Sequence, residues 1–210
     1  MARRGLLIPS LIIINVAVYW SWISGGPEHL LFMERNFTVS WNLIAEGRYW
    51  VLLTSVFSHN WLLHLMINML VLRSFGSLLE EVLGSWRLLR FYLVAGAISS
   101  FTHAAVSAFF LGAPDLGAVG ASGAIAGLVL VFSLMFPREK ILLFGLIPMP
   151  ALIGALAFVG LDLWGLLAQA EGGGMPIGHG AHLGGAFTGA VYYFLFLRKR
   201  WRQIAHDYAL

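Results

Sequence analysis

Six long apolar segments alternate with short polar stretches along the chain. A helix needs about 20 predominantly apolar residues to cross the hydrocarbon core of a bilayer. The segments that approach this length are Leu6–Ser24, Trp50–Leu72, Phe91–Leu111, Gly120–Phe136, Ile141–Ala168 and Ile177–Leu197. The fifth is longer than one crossing, so we expect Pro148 and Pro150 to bend it or to delay its start. This pattern predicts an all-α membrane protein, a bundle of six transmembrane helices in a single domain over residues 1–210.

Little of the chain is left outside these segments. The predicted tails are short, about residues 1–5 and 198–210, and the largest connection is the first outer loop, about residues 25–49. That loop carries Phe37 and Trp41 among few charges, so we expect it to fold partly into the membrane interface. No internal repeat is evident, which argues against a transporter built from inverted repeats.

Composition narrows the class of protein further. Hydrophobic residues make up 59% of the chain and charged residues 11%, and the mean hydropathy is +0.81. Because about a quarter of the residues of a soluble domain are charged, this chain cannot cover a water-facing surface, and a disordered or nucleic-acid-binding protein is excluded. The absence of cysteine also excludes a disulfide-stapled secreted module, thiol catalysis and cysteine-ligated zinc.

The basic residues indicate an orientation in the membrane. If the N-terminus lies inside, eleven of the 13 lysines and arginines fall on the cytoplasmic side, and only Arg35 and Arg48 fall on the other. Basic residues accumulate on the cytoplasmic side of membrane proteins. The distribution therefore predicts that both termini are cytoplasmic, and it supports an even number of crossings.

Three groups of polar residues lie inside the predicted spans, and they are candidates for function because burying polar groups in hydrocarbon costs several kcal/mol. The second span contains His59, His64 and Asn68, of which the last two share a helix face because they are four residues apart. The fourth opens with Gly-Ala-Ser-Gly around Ser122, and the sixth opens with a glycine-rich stretch around His182.

Small residues predict that the fourth and sixth spans pack closely. Two pairs of glycines are four residues apart, Gly123 with Gly127 and Gly185 with Gly189. This spacing lets helix backbones approach each other in a membrane. His182 lies on the glycine face of its own helix, and Ser122 adjoins the other glycine face. If the two faces meet, a hydroxyl and an imidazole come within hydrogen-bond reach, as in an activated nucleophile with its general base.

Each of these residues also has an ordinary structural interpretation. A serine at a helix start is usually a cap, His103 is read as a packing histidine, and glycine pairs often serve packing alone. Asp162 could relay protons, but a structural hydrogen bond is the preferred interpretation. His59 and His64 are five residues apart and so predicted on different helix faces, and no His-Glu-x-x-His motif is present, so no metal site is expected.

Three motifs together resemble the rhomboid intramembrane serine proteases, as a minimal six-helix member of bacterial type. The motifs are His59-x-x-x-x-His64-x-x-x-Asn68, Gly120-Ala121-Ser122-Gly123 and Gly180-Ala181-His182-x-x-Gly185-x-x-x-Gly189. Glu80, before Leu83-Gly84-Ser85, also matches the family. The resemblance implies a multi-pass protein of the bacterial inner membrane that needs no cofactor and no metal.

The resemblance implies a role for each matching residue. Ser122 is expected to be the nucleophile and His182 the general base, as a dyad without aspartate, and the sequence shows no route from Asp162 to His182. The backbone N–H of Ser122 and the side chains of His64 and Asn68 are expected to stabilise the oxyanion. The remaining two assignments are Gly120 as part of the lining of that oxyanion hole and His59 as a polar residue of a water-accessible cavity.

Two positions depart from the family pattern. Val51 follows Trp50 where many members have arginine, so contacts to the first loop are expected to be absent or supplied by Arg48. Ala126 stands four residues after Ser122, where many members carry an aromatic residue that packs on the catalytic histidine. Another group must then orient the imidazole of His182.

The expected substrate is a single-span membrane protein that enters sideways from the lipid and unwinds near its outer end. By analogy with the family, the fifth helix is the expected gate and the loop after the fourth span the expected lid. Two alternatives remain open at this stage. One is a catalytically silent relative that binds or escorts membrane proteins, although such proteins generally lack the serine or the histidine. The other is a small transporter with a polar path through His59, His64 and Asp162.

Overall fold

The computed structural model describes residues 5–143, 147–199 and 201. Within them the chain forms ten α-helices and one two-stranded hairpin. The helices are α1 Leu7–Ser24, α2 Pro27–Phe37, α3 Trp41–Ala45, α4 Val51–Thr54, α5 Leu62–Val71, α6 Ser77–Leu83, α7 Ser85–Phe109, α8 Ser122–Met135, α9 Ala151–Ala170 and α10 His179–Tyr192. The strands are β1 Lys140–Leu143 and β2 Ile147–Pro150. A 3₁₀ turn, Ser55–Phe57, follows α4, and π-helical turns, Leu72–Gly76 and Tyr193–Leu197, follow α5 and α10.

Four helices of the described chain are long and apolar enough to cross a membrane: α1, the continuous helix Leu62–Leu83, α7 and α9. The predicted fourth span is the shorter apolar helix α8, and the predicted sixth is α10 with its π-helical turn. The all-α membrane architecture is therefore present, while the count of six crossings stays a prediction. Most of the predicted tails, with Arg3, Arg4, Arg200 and Arg202, lie outside the described residues.

The second predicted segment, Trp50–Leu72, is wrong at both ends. Its first residues form the short α4 and a 3₁₀ turn, and the chain is extended at Ser58 and Trp61. The spanning helix begins only with α5 and continues to the end of α6. Averaged hydropathy hides the break because it smooths over the polar residues 58–60. It also ends the segment before Arg73, which is exposed and whose long side chain can reach toward water.

The fifth predicted segment, Ile141–Ala168, starts too early. Its first residues belong to the antiparallel hairpin, in which Ile141 lies opposite Met149, and α9 begins directly after Pro150. Proline lacks a backbone N–H and disfavours the helical conformation in the residue before it, so two prolines delay the helix. The start of α9 is delayed, as expected from the prolines, and the strands before α9 form a hairpin.

The loop that contains this hairpin follows the fourth predicted span and is the segment expected to act as a lid. The loop after the fourth span follows the end of α8 that is far from Ser122. At a rise of 1.5 Å per residue, a helix of this length separates its two ends by about 20 Å. That loop therefore starts about one helix length from Ser122, whereas residues 171–178, between α9 and α10, lead directly into the helix turn that carries His182.

Helix α8 lies at the centre of the bundle. Eleven of its 14 residues are buried, and it packs against α7, α9 and α10. Because lipid-facing helices are also apolar, it is this burial, and not the apolar composition, that shows α8 to be central. Its largest contact is with α10, and this contact is made by the four glycines identified in the sequence.

The glycines of α8 and α10 bring the two backbones into direct contact. The carbonyl oxygen of Gly123 lies against Gly185, and a Cβ on Gly189 would lie only 2.5 Å from the carbonyl oxygen of Gly127. In the other direction, a Cβ on Gly127 would lie 2.8 Å from the carbonyl oxygen of Gly185. No side chain fits between these helices at this level, so the sequence pattern sets the distance between Ser122 and His182.

We expect Gly185→Ala to lower the free energy of unfolding by about 1–3 kcal/mol, the usual cost of overpacking. The added methyl group would overlap the backbone carbonyl of Gly123, which cannot turn away as a flexible side chain could. Thermal unfolding in detergent would measure the effect. Gly160→Ala is the matched control, because a Cβ on Gly160 in α9 would meet no described atom within 4 Å. Equal stability of the two variants would contradict the predicted contact.

A buried carboxylate ties α1 to the rest of the bundle. Glu80 in α6 accepts hydrogen bonds from the backbone N–H groups of Leu7 at 3.1 Å and Ile8 at 3.2 Å, and from the hydroxyl of Ser85 at 2.6 Å. The first N–H groups of a helix have no partner within the helix, and a negative charge there is favourable. Glu80 thus acts as a cap for α1 from a distant part of the chain.

The loop predicted to be the first outer one, about residues 25–49, contains α2 and α3, and it reaches the strand-like segment before Ser122. Val39 and Ala118 exchange two backbone hydrogen bonds of 2.9 Å each. Arg48 pairs with Glu46 at 3.0 Å, and Arg35 pairs with the same carboxylate at 3.3 Å. These hydrogen bonds, the one from Arg48 first, hold the pKa of Glu46 below its ordinary value. Arg48 is therefore engaged within the loop itself.

Candidate active site

Ser122 is the first residue of α8, and an unusual backbone conformation positions it there. Gly120 has φ +132°, which side-chain-bearing residues rarely adopt. Its N–H donates to the carbonyl oxygen of Ser55 at 2.9 Å. The chain thus turns sharply into α8, and Ser122 stays partly exposed while the residues around it are buried.

The structure brings Ser122 and His182 together. The Ser122 hydroxyl lies 2.9 Å from Nε2 of His182, which is in the first turn of α10. This is hydrogen-bond distance for a nucleophile and its base. The approach follows from the glycine contact between α8 and α10, because both residues lie one turn or less from that contact.

Asp162 lies beside His182, and this corrects the expectation that no aspartate reaches the histidine. Its two carboxylate oxygens lie 3.0 and 3.2 Å from Nδ1 of His182. An ionised carboxylate only accepts hydrogen bonds, so Nδ1–H of His182 donates and Nε2 is left to accept the proton of Ser122. The sequence could not show this contact because it depends on which face of α9 turns toward α10.

A phenylalanine from α9 also contacts the histidine. The rings of Phe158 and His182 have centroids 5.3 Å apart and planes tilted by 32°. Ala126, where many relatives carry an aromatic residue, is buried in α8. The orienting groups that the Ala126 departure calls for are therefore supplied by α9, through Phe158 and Asp162.

Asp162 also contacts a second histidine, His179, which is not among the site residues predicted from the sequence. Nδ1 of His179 lies 2.7 Å from one oxygen of the Asp162 carboxylate. Phe158, Asp162 and Gly165 follow at i, i+4 and i+7 and so share one face of α9, and Gly165 contacts the ring of His179. In the sequence, the signal for the contact between Asp162 and His179 was Asp162 itself, the single ionisable residue of the otherwise apolar helix α9, four residues after Phe158 and three before Gly165.

Two of the expected oxyanion residues, Gly120 and His64, lie beside Ser122. A Cβ on Gly120 would lie 3.0 Å from Nε2 of His64 and 3.7 Å from the Ser122 hydroxyl, so the His64 ring borders the serine. Asn68 is buried one turn further along α5, and its amide nitrogen donates to the carbonyl oxygen of His64 at 2.9 Å. That bond uses one of the two amide N–H groups of Asn68 and leaves the other for a ligand.

His59 and His64 do not lie on separate helix faces. The break at residues 58–61 folds the chain back, so that the two ring centroids are 5.0 Å apart. His59 is fully buried, and neither ring nitrogen has a hydrogen-bond partner in the described chain. The next residue, Asn60, lines an outer cavity of about 480 Å³. Among all the residues that the structure describes, no group of His, Asp and Glu has the arrangement of a metal site.

Comparison with known proteins identifies relatives over nearly the whole chain. The sequence matches the Rhomboid domain family over residues 46–199. It is 30% identical to RHOMBOID-like protein 12, mitochondrial, of Arabidopsis thaliana, with 93% of this chain and 60% of that protein covered. It is 33% identical to Rhomboid protein 1, mitochondrial, of Saccharomyces cerevisiae, with 89% and 52% covered. A bacterial relative, Putative rhomboid protease YdcA of Bacillus subtilis, is 32% identical over 64% of this chain.

These matches agree with the motifs identified in the sequence. The chain spans about half to three fifths of the length of the two mitochondrial relatives. The matched region contains α4 to α10, and with them Ser122, His182 and the four glycines that bring them together. Because the match covers most of the chain, we conclude that this protein belongs to the Rhomboid domain family.

Proposed function

We propose that this protein is an intramembrane serine endopeptidase that cleaves transmembrane segments of other membrane proteins. The observation that carries the proposal is the chain of contacts from the Ser122 hydroxyl to Nε2 of His182, and from Nδ1 of His182 to Asp162. A nucleophile, a base and a group that orients the base are the parts that acyl transfer needs. Family membership supports the proposal.

Ser122 and His182 carry the two chemical steps. As the Ser122 oxygen attacks the scissile carbonyl carbon, Nε2 of His182 takes the hydroxyl proton, and it then gives that proton to the leaving amine. In the second step His182 removes a proton from water as the water oxygen attacks the acyl carbon, and it then returns that proton to the Ser122 oxygen as the acyl bond breaks, which frees the carboxylic acid product and restores Ser122 and His182. The charge on the imidazolium is balanced in both steps by the carboxylate of Asp162.

The negative oxygen of the tetrahedral intermediate needs hydrogen-bond donors. We assign the backbone N–H of Ser122, the His64 ring and the unused amide N–H of Asn68 to this role, with Gly120 lining the space. Each donor of this kind typically contributes about 10²–10³ in kcat. A side chain on Gly120 would enter this space, which is a second reason, beside its φ, for glycine at that position.

The proposed membrane arrangement follows the charge distribution. We propose six crossings, with α8 and α10 as the fourth and sixth, and both termini on the cytoplasmic side. The start of α8 then faces the outer leaflet, so Ser122 meets the outer end of a single-span substrate that arrives from the lipid. The two relatives with mitochondrial names cover 93% and 89% of this chain and the bacterial one 64%, so the comparisons do not favour the bacterial inner membrane, which stays a prediction.

A serine-directed fluorophosphonate probe tests the proposal without knowledge of the substrate. We expect the probe to label the purified protein at Ser122, located by peptide mass spectrometry, because His182 activates that hydroxyl. His182→Ala should lose the labelling, and Ser133→Ala, a buried serine of the same helix, should keep it. Absence of labelling in the folded wild-type protein would contradict a protease and favour a catalytically silent binding or escort protein.

A further inference from the structure

The carboxylate of Asp162 is shared between two histidines of α10, and the mechanism above uses only one of them. His179 and Asp162 are each about 5% exposed, and their contact of 2.7 Å is shorter than the contacts of Asp162 with His182. Nε2 of His179 has no hydrogen-bond partner among the described residues, and its ring lies against Gly165. Buried polar side chains are normally hydrogen-bonded, and the contact with Asp162 is the one hydrogen bond of the His179 ring in the described chain.

The contacts of the two Asp162 oxygens with His179 and His182 define the orientation of the carboxylate. Oδ1 lies 2.7 Å from Nδ1 of His179 and 3.0 Å from Nδ1 of His182, whereas Oδ2 approaches only His182, at 3.2 Å. Since an ionised carboxylate only accepts, both Nδ1–H groups donate. His179 therefore holds Oδ1 at one point, and the remaining freedom of the carboxylate, rotation about its own axis, is limited by that contact.

We propose that His179 is a positioning residue for catalysis, which acts on His182 through Asp162. By donating to Oδ1 it keeps both carboxylate oxygens turned toward His182, and it draws part of the negative charge away, so that Asp162 orients His182 without taking its Nδ1 proton. This inference rests on the proposed function, because the step that benefits is the proton transfer between Ser122 and His182.

Two substitutions of His179 separate this role from packing. In His179→Asn the amide N–H stands near the original Nδ1 and can still donate to Asp162, whereas His179→Leu fills more of the space and cannot donate. We expect His179→Leu to lower kcat about tenfold with KM nearly unchanged, the size of one hydrogen bond to a charged group. His179→Asn should stay within about threefold of wild type, again from the scale of single hydrogen bonds.

The order of the two variants decides the outcome. If His179 only fills space between α9 and α10, leucine is the better replacement and His179→Asn should be the slower enzyme. A kcat for His179→Leu equal to or above that of His179→Asn would therefore overturn the proposal. His29→Leu, at a histidine of the outer loop helix α2, is the control for the loss of an imidazole elsewhere, and we expect its kcat to be unchanged.

A spectroscopic measurement tests the same proposal independently of any cleavage. In a Ser122→Ala background, proton NMR in detergent should show a downfield Nδ1–H resonance of His182, identified by its loss in His182→Asn. We expect His179→Leu to shift or broaden this resonance and His179→Asn to leave it in place. An unmoved resonance in His179→Leu overturns the positioning role. If the resonance responds while the wild-type protein cleaves no substrate, the proposed function fails and the coupling stands.

Discussion

Replacing Ser122 with alanine is expected to lower kcat/KM for a transmembrane substrate by about 10³–10⁶, the range found when a serine hydrolase loses its nucleophile. The backbone N–H of residue 122 and the side chains of His64 and Asn68 remain in the variant, but no oxygen is left to form the acyl bond. The fold should be unaffected, because the hydroxyl makes one hydrogen bond in the described chain, to the ring of His182.

This prediction requires purified protein in detergent or proteoliposomes, a panel of single-span substrates, and cleavage measured on gels. Ser133→Ala is the matched control, since Ser133 lies in the same helix, is fully buried and has no hydrogen-bond partner among the described residues. We expect it to cleave at the wild-type rate. A folded Ser122→Ala variant that cleaved at the rate of Ser133→Ala would show that another residue performs the reaction.

Replacing Asp162 with asparagine is expected to lower kcat by about 10²–10⁴, comparable to the loss of the orienting aspartate in serine proteases. An amide can place its NH₂ group toward His182, which would force Nδ1 to accept and move the ring proton to Nε2. The imidazole could then no longer accept the proton of Ser122. The variant should keep its KM, because Asp162 is buried beneath the histidines and away from the exposed edge of the site.

Single-turnover cleavage and fluorophosphonate labelling would both report this loss. Asp115→Asn is the control, because it changes the same functional group in the exposed loop before α8, where we expect no effect on kcat. If Asp162→Asn retained wild-type activity, Ser122 and His182 would act as the dyad that the family resemblance implies, and the contact with Asp162 would serve only the packing of α9.

The contact between α8 and α10 could be predicted because its cause is local. Glycines four residues apart mark one face of each helix. Because the other faces carry large side chains, the two glycine faces are the ones at which the backbones can approach closely. The position of Ser122 and His182 beside those glycines then gives their approach. The contact between Asp162 and His182 could not be predicted in this way. Helix α9 is apolar around most of its circumference, and its sequence does not indicate which side faces α10.

The predicted boundaries of the second and fifth spans are wrong where an apolar stretch of sequence does not form a helix. Residues 141–150 are as apolar as a spanning helix, but the two prolines and the antiparallel pairing give a hairpin instead. The polar residues 58–60 interrupt a run that remains apolar on average, and the break they cause places His59 beside His64. In both cases backbone hydrogen bonding, which an average over side chains does not record, decides the local structure.

The tie between Glu80 and the start of α1 has a practical consequence for the boundaries of this domain. The family match begins at residue 46 and omits α1, yet the Glu80 carboxylate belongs to the matched part and takes two of its three hydrogen bonds from α1. A shortened protein that starts at residue 46 would leave this carboxylate with the Ser85 hydroxyl as its one remaining donor in the described chain. We therefore expect the first helix to be part of the folding unit, so that expression of the matched region alone yields an unstable protein.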